Sequence, residues 1–172
     1  LPDRCPLEKI MKFQQYQFLK KNLFPFDEQD ILNDRYKNED INPKLLNPLV
    51  LAYIGDACYH LYVRTRLLNF EQSHVHLLND FSMQIVSATF QVQAYEAVKD
   101  ELTETENYIF KRGRNAKSHA PRVASVHDYH ISTGFEAVLG YLYLNKEQER
   151  LDFLCEKAFV QVAKNMYQAH RR

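Results

Sequence analysis

Glycine is scarce in this sequence, with four residues in 172, and tryptophan is missing altogether. Hairpins and tight turns draw on glycine, so its scarcity argues against a sheet protein and favours helices. Cysteine is scarce as well. Cys5, Cys58 and Cys155 are odd in number and have no metal-ligand spacing, which leaves reduced thiols in a cytosol-like compartment as the simple reading. No charge of either sign dominates: 22 Lys and Arg stand against 22 Asp and Glu. That excludes a globally basic nucleic-acid binder and leaves room for a local basic patch. Long apolar runs are missing too. The longest, Leu49 to Ile54, is far too short to span a bilayer, so no membrane partner is expected. The first residues form no signal-peptide pattern, because Asp3, Arg4, Glu8 and Lys9 interrupt any apolar core. Internal repeats, a Gly-rich nucleotide loop and a Gly-x-Ser-x-Gly elbow are also lacking.

What is present is a chain long enough for one domain with a sizeable core, plus a small appendage. Residues 1–42 read as that appendage, an N-terminal helical extension docked on the main body. Pro6 suits a first helical turn, and Leu7, Ile10, Met11, Phe18 and Leu19 recur at roughly helical spacing until Pro25. Residues 27–42 are polar and strongly charged, a loop or short helix. The main body spans residues 43–172. Asn47-Pro48 is a good helix start, with Asn as cap and Pro in the first turn. The helix it opens runs to Leu68, about 30 Å at 1.5 Å per residue. It is apolar on most sides up to Val63, which predicts a central helix. Further helices are predicted from about His74 to Leu78 and from about Ser82 to Val98. Thr103 and Glu106 form a capping box for the next, which closes with Lys111 and Arg112 before an exit at Gly113. A basic loop, "KRGRNAKSHAPR", follows. "STGFEAVLGYLYL" and "EQERLDFLCEKAFVQVAKNMYQ" read as the last two long helices. No segment alternates at period two, so the fold class is all-α.

Two carboxylates stand out, because each sits in an apolar helix. Asp56 lies within "LVLAYIGDACYHLYV" and Glu136 within "GFEAVLGYLYL". Buried acids have few options: each finds a Lys or Arg, each stays protonated, or both bind one cation. A hard divalent cation such as Mg2+ suits carboxylate oxygen and keeps waters available as nucleophiles. Structural uses compete with that reading. Thr133 and Glu136 fit a second capping box, and Asp56 and His60, four apart, fit an ion pair.

The basic loop is an independent feature. Lys111, Arg112, Arg114, Lys117 and Arg122 fall within it and no acid does. Gly113, Asn115 and Ser118 let backbone approach a phosphate and donate to it. A solvated surface loop is the alternative. Carboxylates and a phosphate-binding loop together point to phosphodiester chemistry. The histidines carry less: His74 and His76 are two apart, on different helix faces, and His127 and His130 flank Asp128 without completing a zinc set. Tyr53, Tyr59 and Tyr62 read as core or interface.

"LAYIGDACY", "IVSATFQVQ", "FKRGRNAKS" and "STGFEAVLGYLYL", in this order, resemble the Mini-ribonuclease III family, a compact branch of the ribonuclease III catalytic domain. The resemblance covers about residues 45–160 and leaves 1–42 unexplained. It implies a helical homodimer, the ribonuclease III endonuclease fold, that cleaves double-stranded RNA with Mg2+. It also implies maturation of large-subunit (23S) ribosomal RNA precursor, in a bacterial cytoplasm or a plastid. It assigns Asp56, of the Gly-Asp-Ala signature, and Glu136, of the Phe-Glu-Ala signature, as the metal-associated catalytic pair. It assigns Lys111, Arg112, Arg114, Asn115, Lys117 and Ser118 to RNA binding. Full-length ribonuclease III has further acids where this chain has Ala52 and Thr133, so weak metal affinity without RNA is expected. The resemblance also implies no separate RNA-binding domain, and only a helix tail is expected after Phe159. In-line attack by a metal-activated water would leave a 5′-phosphate and a 3′-hydroxyl, and A-form RNA would be read by shape and backbone. The competing reading is a catalytically inactive ribonuclease III-like module that binds RNA or the ribosome. A helical scaffold whose acids are purely structural is a third.

Overall fold

A computed structural model describes residues 6–23, 41–117 and 125–169. The chain divides into two compact units, Leu1–Ile41 and Asn42–Arg172. In the first, helix α1 spans Pro6–Leu23 and carries Lys20 and Lys21 in its last turn, where cations meet the negative end of the helix dipole. Pro25 and residues 27–40 lie outside the described residues.

Every element of secondary structure among the second unit's described residues is helical. A short 3-10 turn, Pro43–Leu45, leads into α2 (Pro48–Leu67). Then come α3 (Val75–Ile85), α4 (Ala88–Val98), a 3-10 turn at Lys99–Glu101, α5 (Glu104–Arg114), α6 (Val126–Leu144) and α7 (Gln148–Ala169). The all-α expectation holds. The start of α2 is capped as predicted: the Asn47 side chain accepts the Leu49 N–H at 2.9 Å and Pro48 fills the first turn. The Thr103–Glu106 capping box at the head of α5 is also formed, with both reciprocal hydrogen bonds. The helix predicted over Ser82–Val98 is instead two helices, broken at Val86–Ser87, where Ser87 turns extended (φ −65°, ψ 151°) to begin α4. The predicted capping box at Thr133 is absent. Helix α6 already starts at Val126, capped by the Ser125 side chain, so Thr133 lies in mid-helix.

The centre of the unit is α6 rather than α2. Ser132 to Phe135, Ala137 to Gly140 and Leu142 are all buried on it, and α2, α4, α5 and α7 pack around it. Helix α2 buries one stripe, Leu51, Gly55, Tyr59 and Val63, spaced a turn apart. Its other apolar face is open: Val50, Tyr53 and Leu61 are exposed.

The four glycines explain how the helices come so close. None serves a turn, and none has positive φ; that conformation falls to Lys146 (φ 61°), between α6 and α7. A Cβ on Gly55 would lie 1.8 Å from the carbonyl oxygen of Glu136, and one on Gly140 would lie 1.9 Å from that of Leu51. Helices α2 and α6 therefore cross backbone against backbone. Gly134 makes room for the Phe110 ring of α5, which stacks on Tyr95 of α4 at 4.0 Å. Gly113 is buried inside the last turn of α5 against α6. It is neither the helix exit nor a point where backbone meets phosphate, as its place in a basic run had implied.

Candidate active site

The α2–α6 crossing decides where the two carboxylates go. Asp56 follows Gly55, and Glu136 precedes Gly140 by one turn. Seating the two glycines against each other brings both acids to one cleft of 420 Å³. Its walls are Leu49, Ala52, Tyr53 and Asp56 from α2, and Tyr129, Thr133 and Glu136 from α6. Ala52 and Thr133, the positions where full-length relatives are expected to carry further acids, line the same cleft.

Asp56 is less buried than its apolar neighbours imply. Its side chain is half exposed and lies 3.2 Å from His60 Nε2, the i, i+4 pair that the spacing allows. Glu136 is partly buried. Its Oε1 accepts the Gln91 amide at 2.9 Å, and no Lys or Arg among the described residues pairs with it. Burial pushes its carboxyl up to about 8, against the Gln91 hydrogen bond, and the nearby charge of Asp56 adds to the rise. Asp56 has His60 beside it and Glu136 has no Lys or Arg partner among the described residues, and the carboxyl oxygens the two bring to the cleft are of the kind a hard divalent ion takes. No group of three or more metal-ligating side chains occurs among the described residues.

The basic segment sits at the edge of this arrangement. Lys111, Arg112 and Arg114 occupy the last turn of α5, and Asn115 caps it, so the loop begins later than the sequence implied. Gly113 fastens that turn to Thr133, a wall of the cleft: a Cβ there would lie 2.9 Å from the Thr133 carbonyl oxygen. Lys111, Arg114, Asn115 and Lys117 are exposed. Arg114 Nε donates to Asn115 Oδ1 at 3.2 Å. Arg112 is employed differently. Its two terminal nitrogens donate to the carbonyls of Lys44 (2.6 Å) and Leu46 (2.7 Å), which ties α5 to the turn that precedes α2. Ser118 and Arg122 lie outside the described residues. Of the histidines, His127 Nδ1 lies 3.3 Å from Asp128, His74 and His76 form an edge contact, and the buried His130 Nδ1 has no hydrogen-bond partner.

Residues 49–147 match the Ribonuclease III domain family. Three Mini-ribonuclease 3 proteins are similar over most of the chain. That of Clostridium tetani is 42% identical, over 70% of this chain and 80% of its own. That of Symbiobacterium thermophilum is 45% identical over 68% and 91%, and that of Staphylococcus aureus 44% over 69% and 91%. The chain belongs to the ribonuclease III family, in its Mini-ribonuclease III branch. It is an endoribonuclease. A crystal structure of a Fusobacterium nucleatum protein superposes with a TM-score of 0.59 at 31% identity, covering 65% of this chain and 90% of that one. The span shared with the ribonuclease III family carries the carboxylate cleft, the α2–α6 crossing and the basic end of α5 together.

One member of this site was not singled out in the sequence, namely Gln91. The available signal was its register: Gln91, Ala94 and Val98 lie three and four apart and all are buried, so a polar amide occupies the core face of α4.

Proposed function

We propose that this endoribonuclease is Mg2+-dependent and cleaves double-stranded RNA, acting as a homodimer in the maturation of large-subunit (23S) ribosomal RNA precursor in a bacterial cytoplasm. The observation that supports it is the meeting of Asp56 and Glu136 in one cleft, although 80 residues separate them in sequence. Those two carboxylates would hold the metal. When bound, Mg2+ supplies Lewis-acid charge and a water of lowered pKa. Everything else is the work of the chain. Leu49, Ala52 and Thr133 line the cleft beside the two acids and give it its shape. The exposed Lys111, Arg114, Asn115 and Lys117, with Ser118 beyond them, face the RNA backbone and contribute the salt-sensitive part of affinity. Arg112 holds the head of α2 in place, which sets Asp56 relative to α6.

The exposed face of α2 supports the dimer. Val50, Tyr53 and Leu61 line one side of a helix whose opposite side is core. A second copy covering that stripe would remove a large apolar patch from water. It would also place two clefts on one assembly, one for each strand of a duplex.

The test is incubation of the full chain with a long RNA duplex, with and without Mg2+, beside a mass measurement in solution. Cleavage that needs Mg2+ and a mass of two chains are expected. Asp56→Asn should leave folding and duplex binding intact and abolish cleavage. A variant that cuts at the wild-type rate ends the assignment. A wild-type chain that binds duplex and never cuts would favour the inactive binding module.

A further inference from the structure

The cleft has a third polar member behind it, on a helix that contributes no wall. Gln91 of α4 is 2% exposed. Its single amide nitrogen has two hydrogens, and both are engaged: one on the Val86 carbonyl at 3.0 Å, the other on Glu136 Oε1 at 2.9 Å. Its own oxygen is buried and has no hydrogen-bond partner.

The Val86 bond fixes which way the amide points. Val86 stands at the break between α3 and α4, where the helical hydrogen-bond ladder stops, so its carbonyl is served from the side by Gln91. Turning the amide over would set oxygen against the Val86 carbonyl, acceptor facing acceptor. The break in the helix thus keys the amide, and the keyed amide presents a donor to Glu136. A donor clamped on Oε1 leaves Oε2 as the oxygen with no protein partner among the described residues, on a side chain that shares the cleft with Asp56. Leaving the Gln91 oxygen unpaired is costly in a buried site. What offsets that cost is the pair of hydrogen bonds the nitrogen makes, to the Val86 carbonyl and to Glu136.

From this geometry we infer that Gln91 is a positioning residue for RNA cleavage, aiming Glu136 from behind so that one defined carboxylate oxygen is offered to the metal. The inference rests on the reading of Asp56 and Glu136 as the metal pair. Removing a group that orients a metal-binding carboxylate weakens metal binding or activity by roughly 10- to 100-fold.

Gln91→Met keeps length and apolar volume and removes both donors. Three measurements go with it: Tb3+ luminescence titration of the RNA-free protein, kcat and KM for duplex RNA with Mg2+, and thermal melting. Tb3+ binding weaker by roughly 10- to 100-fold and a similar fall in kcat are expected. KM for the duplex stays within about twofold, since no RNA contact has changed. Excess Mg2+ restores part of the Gln91→Met rate and none of the Glu136→Gln rate. A folded Gln91→Met protein with wild-type Tb3+ affinity and kcat overturns the inference. If Asp56→Asn and Glu136→Gln lose both properties while Gln91→Met keeps them, the metal reading stands and the role of Gln91 falls. If those two variants titrate Tb3+ and cleave like wild type, the metal reading falls and the inference falls with it. Should Gln91→Met fail to fold, the wild-type protein decides. The side-chain amide resonances of Gln91 should move in 15N–1H spectra as Mg2+ is added, and resonances that stay fixed at saturation overturn the proposal.

Discussion

Glu106 and Glu136 sit on neighbouring helices, each where burial penalises charge, and the protein resolves the two in opposite ways. Glu106, 3% exposed, receives Arg150 on both oxygens, Nε on Oε1 at 2.9 Å and Nη2 on Oε2 at 2.8 Å. The Thr103 N–H adds a third bond at 2.7 Å. Burial opposes its ionisation, but Arg150 and Thr103 together outweigh that and hold the carboxyl below the ordinary carboxylate range. Glu136 has one amide bond, no cation and a like charge nearby, and is pushed up to about 8. A buried acid is therefore not by itself a sign of function; the discriminating feature is whether the fold supplies its counter-charge. Where the counter-charge comes from within, the acid is an anchor. Where it does not, the acid stays protonated or takes its counter-charge from outside.

The widest separation between the two comes from removing what each depends on. Glu136→Gln should lower the cleavage rate on the order of 10³-fold, as loss of a group that stabilises charge in a transition state does, and leave the fold intact. Arg150→Met should do the reverse. Stranding Glu106 without its partner costs about 3–5 kcal/mol of stability, while the fraction still folded keeps its rate per molecule. Single-turnover cleavage and urea unfolding of both variants check this. If Glu136→Gln unfolds as readily as Arg150→Met, Glu136 is an anchor too and the contrast collapses.

The Glu136 site depends on a helix crossing, whereas the Glu106 site depends on a local cap and one ion pair, and this difference can also be broken. In Gly55→Ala the new Cβ would fall 1.8 Å from the Glu136 carbonyl, so α2 and α6 must part. Overpacking of this kind costs about 3 kcal/mol. It also separates Asp56 from Glu136, so cleavage should fall even in the molecules that remain folded, while the Arg150–Glu106 pair is undisturbed. Full cleavage in a folded Gly55→Ala protein would mean that the crossing does not set the site.

Acid–base behaviour distinguishes the two glutamates next. A carboxyl raised to about 8 contributes stability that is complete below its unfolded value and is lost as pH climbs toward 8. Metal-free wild type and Glu136→Gln should therefore melt alike near pH 4, and the variant should be the more stable of the two by pH 9, melting several degrees higher. Glu106 has the opposite sign. Its depressed value means stability present above the ordinary carboxylate range and lost as acid protonates it, so wild type and Glu106→Gln should converge only at low pH. Scanning melts across pH would show the two curves bending in opposite directions.

What could be read from the sequence was whatever is local. The Asn47-Pro48 start and the Thr103–Glu106 box are short-range hydrogen-bond patterns, and they occur where their residues place them. The all-α class follows from periodicity in the same way. The break at Val86–Ser87 was hidden because apolar residues continue at helical spacing on both sides of it. The glycines were read as scarce turn formers, whereas their use is close approach between helices distant in sequence, which no local pattern encodes. Asp56 and Glu136 were noticed as acids in apolar helices, but their shared cleft is a product of that same crossing. Gln91 carries no local signal beyond its register, because an amide in a helix looks like surface until its neighbours are known.

The smallest effect separates two residues that look alike in the sequence, Arg112 and Arg114. The family resemblance assigns both to RNA binding. In the fold Arg112 spans two carbonyls, of Lys44 and Leu46, whereas Arg114 donates to Asn115 and lies over the Phe110 ring of its own helix at 5.9 Å. A planar fork serves two acceptors at fixed spacing, and an ammonium does not replace it. Arg112→Lys should therefore cost about 1 kcal/mol in urea unfolding and leave the salt dependence of duplex affinity unchanged. Arg114→Ala should cost no more than about 0.5 kcal/mol in unfolding, from its contact with the Phe110 ring, and flatten the slope of log affinity against log salt by about 0.7–0.9, the share of one phosphate contact. Lys111→Ala and Lys117→Ala should behave like Arg114→Ala. If the two arginines exchange these outcomes, the basic end of α5 faces RNA through Arg112, and the tie to the head of α2 gives way when the duplex binds.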